Sequence, residues 1–321
     1  MSKNHQRTLL VTGASGHMGR RVVELLLEAQ AGTIIAATRA PEKLADFARQ
    51  GVIVRHADFD DPTSLVEAFA GADRLLLIST DALGEPGLRL RQHQTAVKAA
   101  ESAGVNHVVY TSLVNPGPDS PVLIAPDHQG TEMALAASKL NWTVLRNNIY
   151  AEVLIPTLSQ AVQTGQLFSA AGPGKTAYVT REDCAQAAAA ALAADFGGRR
   201  TLDVTGPEAV SRTDLAALAT QITGKPVTYI PLELEAMIQG MVGAGLPRFV
   251  AELLASFDSG IAQDKFSAVS NAVQELTGRQ PARLVDFLTA HKDHLLPAAC
   301  CPTQTKMGSR SETPFFISTY R

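Results

Sequence analysis

The chain lacks the features that mark several specialised classes of protein. Three cysteines in 321 residues are too few for a disulfide framework. We interpret Cys184 and the adjacent pair Cys300 and Cys301 as incidental thiols. Hydrophobic residues make up 45% of the chain, which fits a globular protein with a sizeable core. The sequence has no internal repeat, and no metal site is predicted.

Charge and hydropathy also exclude two kinds of partner. The net charge is −3 with no basic block, so nucleic acid is not an expected partner. No apolar run reaches the roughly 18 residues of a membrane span, and no membrane contact is predicted. The first residues, MSKNHQRT, contain no apolar signal core. We therefore expect a cytoplasmic monomer or homodimer that acts on a small molecule.

Short apolar segments alternate with helical patterns over the first half of the chain. The predicted strands cover residues 8–12, 33–38, 52–56, 74–79, 107–111 and 142–145. The predicted helices cover residues 16–30, 41–50, 62–70, 87–103 and 128–139. Strands joined by crossover helices indicate an α/β fold with a Rossmann-type, doubly wound parallel sheet.

The pattern after Tyr150 is less regular and mostly helical. Helices are predicted over 152–164, 181–194, 212–224, 233–243, 247–256 and 281–296, with short strands at 201–204 and 227–230. We predict a dinucleotide-binding domain over 1–150 and a smaller, mostly helical substrate domain over 151–297. Part of 165–205 is expected to return to the first domain, and 298–321 to form a disordered tail.

A glycine-rich turn, GASGHMG, lies between the first strand and the first helix at residues 13–19. In such a turn Gly13 permits a sharp bend, Gly16 lets backbone N–H groups approach a pyrophosphate, and Gly19 lets the helix pack on the sheet. The phosphates would lie at the helix N-terminus, where unpaired N–H groups favour anions. The predicted cofactor-binding residues of this turn are Gly13, Ser15, Gly16, His17, Met18 and Gly19.

The residue after the second strand indicates which dinucleotide binds. Many NAD enzymes have an acidic residue there for the ribose 2′-hydroxyl, about 20 residues past the glycines. This chain has Arg39, twenty positions after Gly19, and Lys43 follows in the same loop. A guanidinium suits a 2′-phosphate, so we predict NADPH as the cofactor. The alternative is a solvated arginine at the end of a strand.

Polar and apolar residues at other strand ends are further cofactor candidates. Ligands of open α/β sheets bind beside the carboxyl ends of the strands. The candidates chosen by this position are Asp58, Phe59, Ile78, Ser79, Thr80 and Thr111. Asp58 has an equally plausible role as the cap of the next turn.

The Tyr-x-x-x-Lys pair of short-chain dehydrogenases is absent. The residues four positions after Tyr110, Tyr150, Tyr178 and Tyr229 are valine, leucine, glutamate and glutamate, and Tyr320 is in the tail. The corresponding helix carries His128 and Glu132 instead. Reduction of a simple ketone needs a strong positioned acid. The absence therefore favours an electron-poor acceptor such as a quinone or a dye, or no catalysis.

Together, GASGHMG, the Arg39–Lys43 segment, LLLIST, YTSL, LRNNIY (145–150) and AAGPGK (170–175) resemble the NmrA-like branch of atypical short-chain dehydrogenases, and within it the quinone and dye reductases. The resemblance covers residues 8–296. It implies NADPH binding by the glycine turn, Arg39, the 78–80 strand end and the LRNNIY segment. It also implies hydride transfer to a quinone or similar acceptor without flavin.

The resemblance places Asn147 and Tyr150 near the nicotinamide and the acceptor, and makes His128 a candidate catalytic residue. Each has an alternative role: Asn147 in a turn, Tyr150 in packing, and His128 in the first turn of its helix. Gly174 would approach the nicotinamide or merely link two segments. Asn148 and Ile149 replace a glycine and a larger aromatic residue of the family pattern. This difference leaves the identity of the acceptor and the size of its pocket undetermined, but it does not affect the expected cofactor binding.

Two further functions remain alternatives to a reductase. NmrA-like proteins include redox sensors that bind nicotinamide dinucleotides without turnover, and the fingerprint would serve a sensor equally well. No long hydrophobic or charged segment marks a partner surface, which favours the enzyme. Reduction of a carbonyl or alkene is the third possibility, and the missing Tyr-x-x-x-Lys pair counts against it.

Overall fold

The structure, a computed structural model, describes residues 7–296. The predicted tail at 298–321 lies outside the described residues. The strands are β1 (Thr8–Val11), β2 (Thr33–Thr38), β3 (Ile53–His56), β4 (Arg74–Leu77), β5 (His107–Leu113), β6 (Asn141–Asn147), β7 (Gln166–Ser169), β8 (Lys175–Thr176), β9 (Arg199–Val204), β10 (Val210–Ser211) and β11 (Thr228–Pro231). Seven of them form one parallel sheet in the order β3-β2-β1-β4-β5-β6-β9.

Helices cover both faces of this sheet, as a buried parallel sheet requires. They are α1 (His17–Glu28), α2 (Ala45–Ala48), α3 (Pro62–Phe69), α4 (Leu88–Ser102), α5 (Ala125–Ala137), α6 (Leu154–Thr164), α7 (Arg181–Ala193), α8 (Arg212–Thr223), α9 (Leu234–Gly243), α10 (Arg248–Ala262), α11 (Ala272–Thr277), α12 (Leu284–Ala290) and α13 (Lys292–Leu295). Short 3-10 helices precede α2 and α6. One core joins the sheet to α1, α7 and α11, and a second joins it to α3, α4 and α5. The predicted doubly wound α/β fold is confirmed.

The strand order reverses direction between β1 and β4, which lie side by side. Two crossovers leave this point toward opposite edges of the sheet, so their loops diverge and open a crevice. The carboxyl ends of β1, β2, β4, β5 and β6 therefore converge on one edge. The candidate residues lie along this edge.

The second half of the chain divides between the sheet and a separate group of elements. Strand β9 pairs with β6 as the seventh strand, and α7 packs against α1. By contrast, β7 pairs with β11, and β8 pairs with β10, outside the main sheet. A third core unites α6, α8, α12 and α13. The division of the chain into two domains stays a prediction.

The helix predicted over 281–296 is corrected by the structure. Residues before Leu284 are extended, because the backbone N–H of Ala282 donates to Asp183 Oδ2 at 3.0 Å instead of entering a helix. His291 then separates α12 from α13. The helix α11 and the strands β7, β8 and β10 have no counterpart in the sequence-based prediction.

A buried ion pair ties these outer elements together. Arg212 at the start of α8 donates to Asp258 Oδ1 on α10 at 2.7 Å and to Ser169 Oγ at 3.0 Å. Ser169 in turn donates to Asp258 Oδ2 at 2.5 Å. The network fixes α8, α10 and β7 relative to one another. Within residues 7–296, no helix is long and apolar enough to cross a bilayer.

Candidate active site

The glycine turn has the geometry that its spacing predicts. Gly13 has a φ of +59°, which a residue with a Cβ rarely adopts. The N–H of Gly16 donates to the carbonyl oxygen of Gly13 at 2.9 Å and closes the turn. A Cβ on Gly19 would lie 2.3 Å from that same oxygen, so only glycine lets α1 begin here. The turn therefore brings the N-terminus of α1 directly to the carboxyl end of β1.

The first turn of α1 is free of acidic side chains, and its N-cap, Gly16, has no side-chain cap. Its backbone N–H groups are therefore available to an anion. His17 beside them is exposed, whereas Met18 packs against the core. Ser15 is fixed by a contact of 2.8 Å between its Oγ and Thr38 Oγ1 at the end of β2. This contact joins the glycine turn to the strand end that carries Arg39.

Arg39 and Lys43 are both exposed beyond β2. Among the described residues, neither side chain has a hydrogen bond or an ion pair to another part of the chain. The adjacent arginine, Arg20, behaves differently because it pairs with Asp46 and stacks on Phe47 at 4.6 Å. Two free cations therefore stand where a 2′-phosphate is predicted to lie.

The third strand end is occupied partly by a turn. Asp58 Oδ1 accepts the backbone N–H of Asp60 at 3.0 Å, and Asp61 caps α3 through the N–H groups of residues 63 and 64. Phe59 is half-buried against the core on that face. The side chain of Asp58 thus has the turn role that the sequence left open, and cofactor contacts by Asp58 and Phe59 stay predictions.

Polar side chains anchor the loop that follows β4. Thr111 Oγ1 accepts the N–H of Ser79 at 2.9 Å, and Thr12 Oγ1 accepts the N–H of Ile78 at 3.0 Å. Thr80 donates its N–H to Nε2 of His93 at 2.9 Å. The segment 78–80 is therefore held against β1 and β5, on the wall of the crevice.

Asn147 and Tyr150 meet at the end of β6. Asn147 Nδ2 donates to the Tyr150 hydroxyl at 3.0 Å. Asn147 is 3% exposed, and its Oδ1 is buried without a partner among residues 7–296. The Arg181 guanidinium lies 5.3 Å from the Tyr150 ring centre. Burial raises the pKa of Tyr150, so its hydroxyl is neutral and able to donate a hydrogen bond.

Two neighbouring residues of the predicted site have clear packing functions. Asn148 Nδ2 donates to the carbonyl of Phe266 at 3.0 Å, which fixes the chain after β6 to the segment after α10. A Cβ on Gly174 would lie 2.0 Å from the carbonyl oxygen of Ile261. Close contact with α10 thus explains the glycine at 174, and its contact with the nicotinamide stays a prediction.

His128 belongs to a buried chain of hydrogen bonds that links α4, β5 and α5. The Tyr110 hydroxyl lies 2.9 Å from His128 Nδ1 and 3.4 Å from His93 Nδ1. Thr131 Oγ1 lies 2.9 Å from His93 Nδ1 and donates to the carbonyl of Asp127. Because His93 Nε2 accepts the N–H of Thr80, the proton of His93 is on Nδ1. We assign the Tyr110 hydroxyl as the donor to His128 Nδ1, since a buried hydroxyl needs an acceptor, and this assignment leaves the proton of His128 on Nε2.

The titratable side chains that form this hydrogen-bonded series, His93, Tyr110 and His128, are all neutral near neutral pH. Burial, together with the nearby Arg89 cation, lowers the pKa of His93 from 6.5 to about 3. Burial likewise holds the pKa of His128 well below its ordinary value. Burial raises the pKa of Tyr110. The three side chains of this hydrogen-bonded series thus supply hydrogen-bond donors and acceptors, but no imidazolium and no phenolate.

Glu132, one turn after His128, has a structural function. Arg146 donates to its two carboxylate oxygens at 3.0 Å and 2.6 Å, and Ser112 donates to Oε1 at 2.6 Å. This bidentate pair locks α5 onto β5 and β6. His128 is therefore the member of the HQGTE segment that is left for chemistry.

Sequence reasoning missed three residues of this region: Arg89, His93 and Tyr110. All three are buried, with 7%, 0% and 0% of their surface exposed, respectively. Arg89 and His93 lie in a helix whose sequence, LRLRQHQTAVKAAES, shows little amphipathic pattern, so their burial gives no signal. The sequence around Tyr110 would reveal a catalytic tyrosine only through a lysine four residues later, and residue 114 is a valine.

The residues present fit a nicotinamide dinucleotide. Free N–H groups at α1 suit the pyrophosphate, and the exposed Arg39 and Lys43 suit a 2′-phosphate. The orphaned Oδ1 of Asn147 is a buried acceptor that a carboxamide N–H could satisfy. Fold and site together define a dinucleotide-binding protein of the Rossmann class.

Comparison with known proteins narrows this class. The sequence profile of the NAD(P)H-binding family matches residues 13–195. Quinone oxidoreductase 2 of Escherichia coli K12 is 35% identical over 282 residues, which cover 88% of this chain and 97% of that protein. The crystal structure of that enzyme with NADPH matches with a TM-score of 0.82 over 88% of this chain and 98% of the other.

Two dye-reducing proteins are also similar. The NAD(P)H azoreductase of Xenophilus azovorans is 28% identical over 283 residues, covering 88% of this chain and 97% of that enzyme. Citrobacter sp. triphenylmethane reductase with NADP(H) is 33% identical, with a TM-score of 0.82 over 88% and 99% of the two chains. The chain belongs to the NAD(P)H-binding family and is an NAD(P)H-dependent oxidoreductase, as its sequence motifs predict, and it is similar to these quinone, azo and triphenylmethane dye reductases.

Proposed function

We propose that this protein reduces quinones or similar electron-poor acceptors by direct hydride transfer from NADPH, without flavin. The observation that carries the proposal is the neutral character of the hydrogen-bonding groups at the acceptor end of the crevice. Tyr110 and Tyr150 have raised pKa values, and His128 has a lowered one. The Tyr-x-x-x-Lys pair that would supply a strong acid is absent.

This arrangement suits an acceptor that requires little help from an acid. NADPH, when bound, supplies the hydride. A quinone or a conjugated dye gives a weakly basic product, whereas a simple ketone gives a strongly basic alkoxide that must be protonated at once. His128 would donate its Nε2 proton as a hydrogen bond to the acceptor oxygen, and Tyr110 would hold the imidazole in that tautomer.

Asn147 and Tyr150 would orient the two reactants. The hydrogen bond between them fixes the tyrosine ring beside the end of β6. The free Oδ1 of Asn147 would accept from the carboxamide of the cofactor. Arg39 and Lys43 would select NADPH over NADH through the 2′-phosphate. The similarity to reductases of quinones, azo compounds and triphenylmethane dyes supports an acceptor of this chemical kind.

The direct test mixes the purified protein with NADPH and a panel of quinones and dyes, and follows the loss of absorbance at the cofactor band. We expect turnover with several acceptors and no requirement for added flavin. No turnover with any acceptor, together with tight NADP binding, would contradict the proposal and favour a redox sensor. The cytoplasmic location and the oligomeric state, monomer or homodimer, stay predictions.

A further inference from the structure

Arg89 is a buried cation whose Nε has no hydrogen-bonded partner in the described part of the chain. It lies in the first turn of α4 and is 7% exposed, and its Nε is buried with no partner among residues 7–296. Its neighbour on the same helix, Arg91, is exposed and pairs with Glu85 at 2.6 Å. A buried guanidinium N–H group without an acceptor is unfavourable inside a protein. A ligand that is present only in the working enzyme would remove this cost.

The position of Arg89 connects it to the acceptor end of the crevice. Arg89 precedes His93 by one helical turn, so both side chains lie on the same face of α4. His93 contacts the N–H of Thr80 and the hydroxyl of Tyr110, and Tyr110 contacts His128. Arg89 therefore lies one helical turn from the hydrogen-bonded series of neutral groups that ends at His128.

The electrostatic influence of Arg89 agrees with this position. Its charge contributes to the lowered pKa values of His93 and His128. Burial lowers the pKa of Arg89 itself, and Tyr110, Asp127, Tyr150 and Asp81 act in the opposite direction. The carboxylates of Asp81 and Asp127 act on it through space, without a hydrogen bond to its Nε.

We propose that Arg89 is an anion-recognition residue of the acceptor site, so that the preferred acceptors carry a negative charge beside the reducible ring. An ionised hydroxyl or carboxyl group would accept a charge-assisted hydrogen bond from the guanidinium. This inference rests on the proposed function, because it assigns the acceptor class of the same site. The cofactor phosphates are assigned elsewhere, at the N-terminus of α1 and at Arg39.

The test compares two ligands of nearly equal shape and different charge. Lawsone is a hydroxynaphthoquinone that is ionised near neutral pH, and its methyl ether is uncharged. Each is titrated into the protein saturated with NADP+, where no hydride is available and binding alone is measured. We expect the wild-type protein to bind lawsone about tenfold more tightly than the ether, as a charge-assisted hydrogen bond would produce.

Substitutions on α4 then distinguish the effect of Arg89 on binding from the effect of a nearby arginine on the same helix. Arg89→Gln should abolish the preference for lawsone and leave ether binding within about twofold, Arg89→Lys should keep part of the preference, and Arg91→Gln should keep all of it. The thermal midpoint of Arg89→Gln should stay level or rise, because an unpaired buried charge is removed. Arg89→Met serves as a second variant if glutamine impairs folding.

Three results would overturn the assignment: equal affinity of the wild-type protein for the two ligands, equal weakening of both by Arg89→Gln, or a loss of NADPH affinity as large as the loss for lawsone. Turnover of menadione, an uncharged quinone, is measured in parallel. A wild-type protein that turns over menadione but shows no preference for lawsone contradicts only the role of Arg89. Preference for lawsone without turnover of any acceptor contradicts only the proposed function.

Discussion

The hydroxyl of Tyr110 lies 2.9 Å from Nδ1 of His128, and both side chains are almost completely buried. Tyr110 comes from β5 and His128 from the first turn of α5, the helix that follows this strand. With the Tyr110 hydroxyl as the donor in this contact, the imidazole of His128 carries its proton on Nε2. A neutral histidine with a fixed proton is a permanent hydrogen-bond donor, unlike an imidazolium that appears only at acidic pH.

His128→Phe removes this donor while it keeps a ring of similar size. We expect kcat with a quinone to fall about tenfold or more, since roughly one to two kcal/mol of hydrogen bonding is lost in the transition state. The dissociation constant of NADPH should stay within about twofold. Steady-state kinetics and cofactor titration measure the two effects.

His107→Phe is the matched control for this variant. His107 is also buried, and its Nε2 lies 3.0 Å from Thr143 Oγ1, but it begins β5 at the opposite edge of the sheet. Its substitution should change stability and leave kcat nearly unchanged. If His128→Phe and Asn147→Ala both keep full turnover, the acceptor site is placed wrongly.

Arg39→Asp should weaken NADPH much more than NADH. The substitution replaces a cation by an anion where the 2′-phosphate is predicted, and one lost charge-assisted contact corresponds to about a tenfold to hundredfold change. Fluorescence titration with both dinucleotides measures it. Arg49→Asp makes the same charge change at an exposed site after α2 and should affect neither cofactor strongly. An equal loss for NADPH and NADH in Arg39→Asp would refute the 2′-phosphate role.

Much of the sheet could be predicted because its signals are local. Apolar runs such as 75–78, and the turn at 13–19, depend only on neighbouring residues, and the observed strands follow them closely. The second half was less predictable for a physical reason. Residues 166–169 form a strand only through pairing with 228–231, some sixty positions away. Such long-range pairing leaves little trace in either segment alone.

The burial and pairing of charged and polar residues inside the fold were the second feature that the sequence could not predict. Glu132 lies on the helix where the absent Tyr-x-x-x-Lys pair would fall, and its carboxylate is paired with Arg146. Arg89 looks like one more solvated charge, yet it is buried without a partner at its Nε. Partner and burial are properties of tertiary packing, so residue type and spacing cannot reveal them. The glycine turn differs because its backbone geometry itself demands glycine.

Gly19→Ala tests the turn independently of any ligand. The added Cβ would lie 2.3 Å from the carbonyl oxygen of Gly13, so α1 must shift away from β1. We expect a loss of about 1–3 kcal/mol in the free energy of unfolding, with weaker NADPH binding because the helix N-terminus moves. Gly240→Ala in α9 meets no atom within 4 Å and should be neutral or slightly stabilising. Equal free energies of unfolding in urea for Gly19→Ala and Gly240→Ala would contradict this prediction.

Acid stability should depend on the buried histidines. Burial, with the charges of Arg74 and Arg200, lowers the pKa of His107 from 6.5 to about 3. Below pH 6.5 the unfolded chain therefore binds a proton that the folded chain rejects, so the free energy of unfolding falls as the pH falls toward 3. One such histidine contributes a slope of about 1.4 kcal/mol per pH unit within this window. His107→Gln should reduce the measured slope by about that amount, and His56→Gln, at an exposed position in β3, should not. Urea unfolding at a series of pH values gives both slopes, and an unchanged slope in His107→Gln would show that the buried imidazole is protonated without cost.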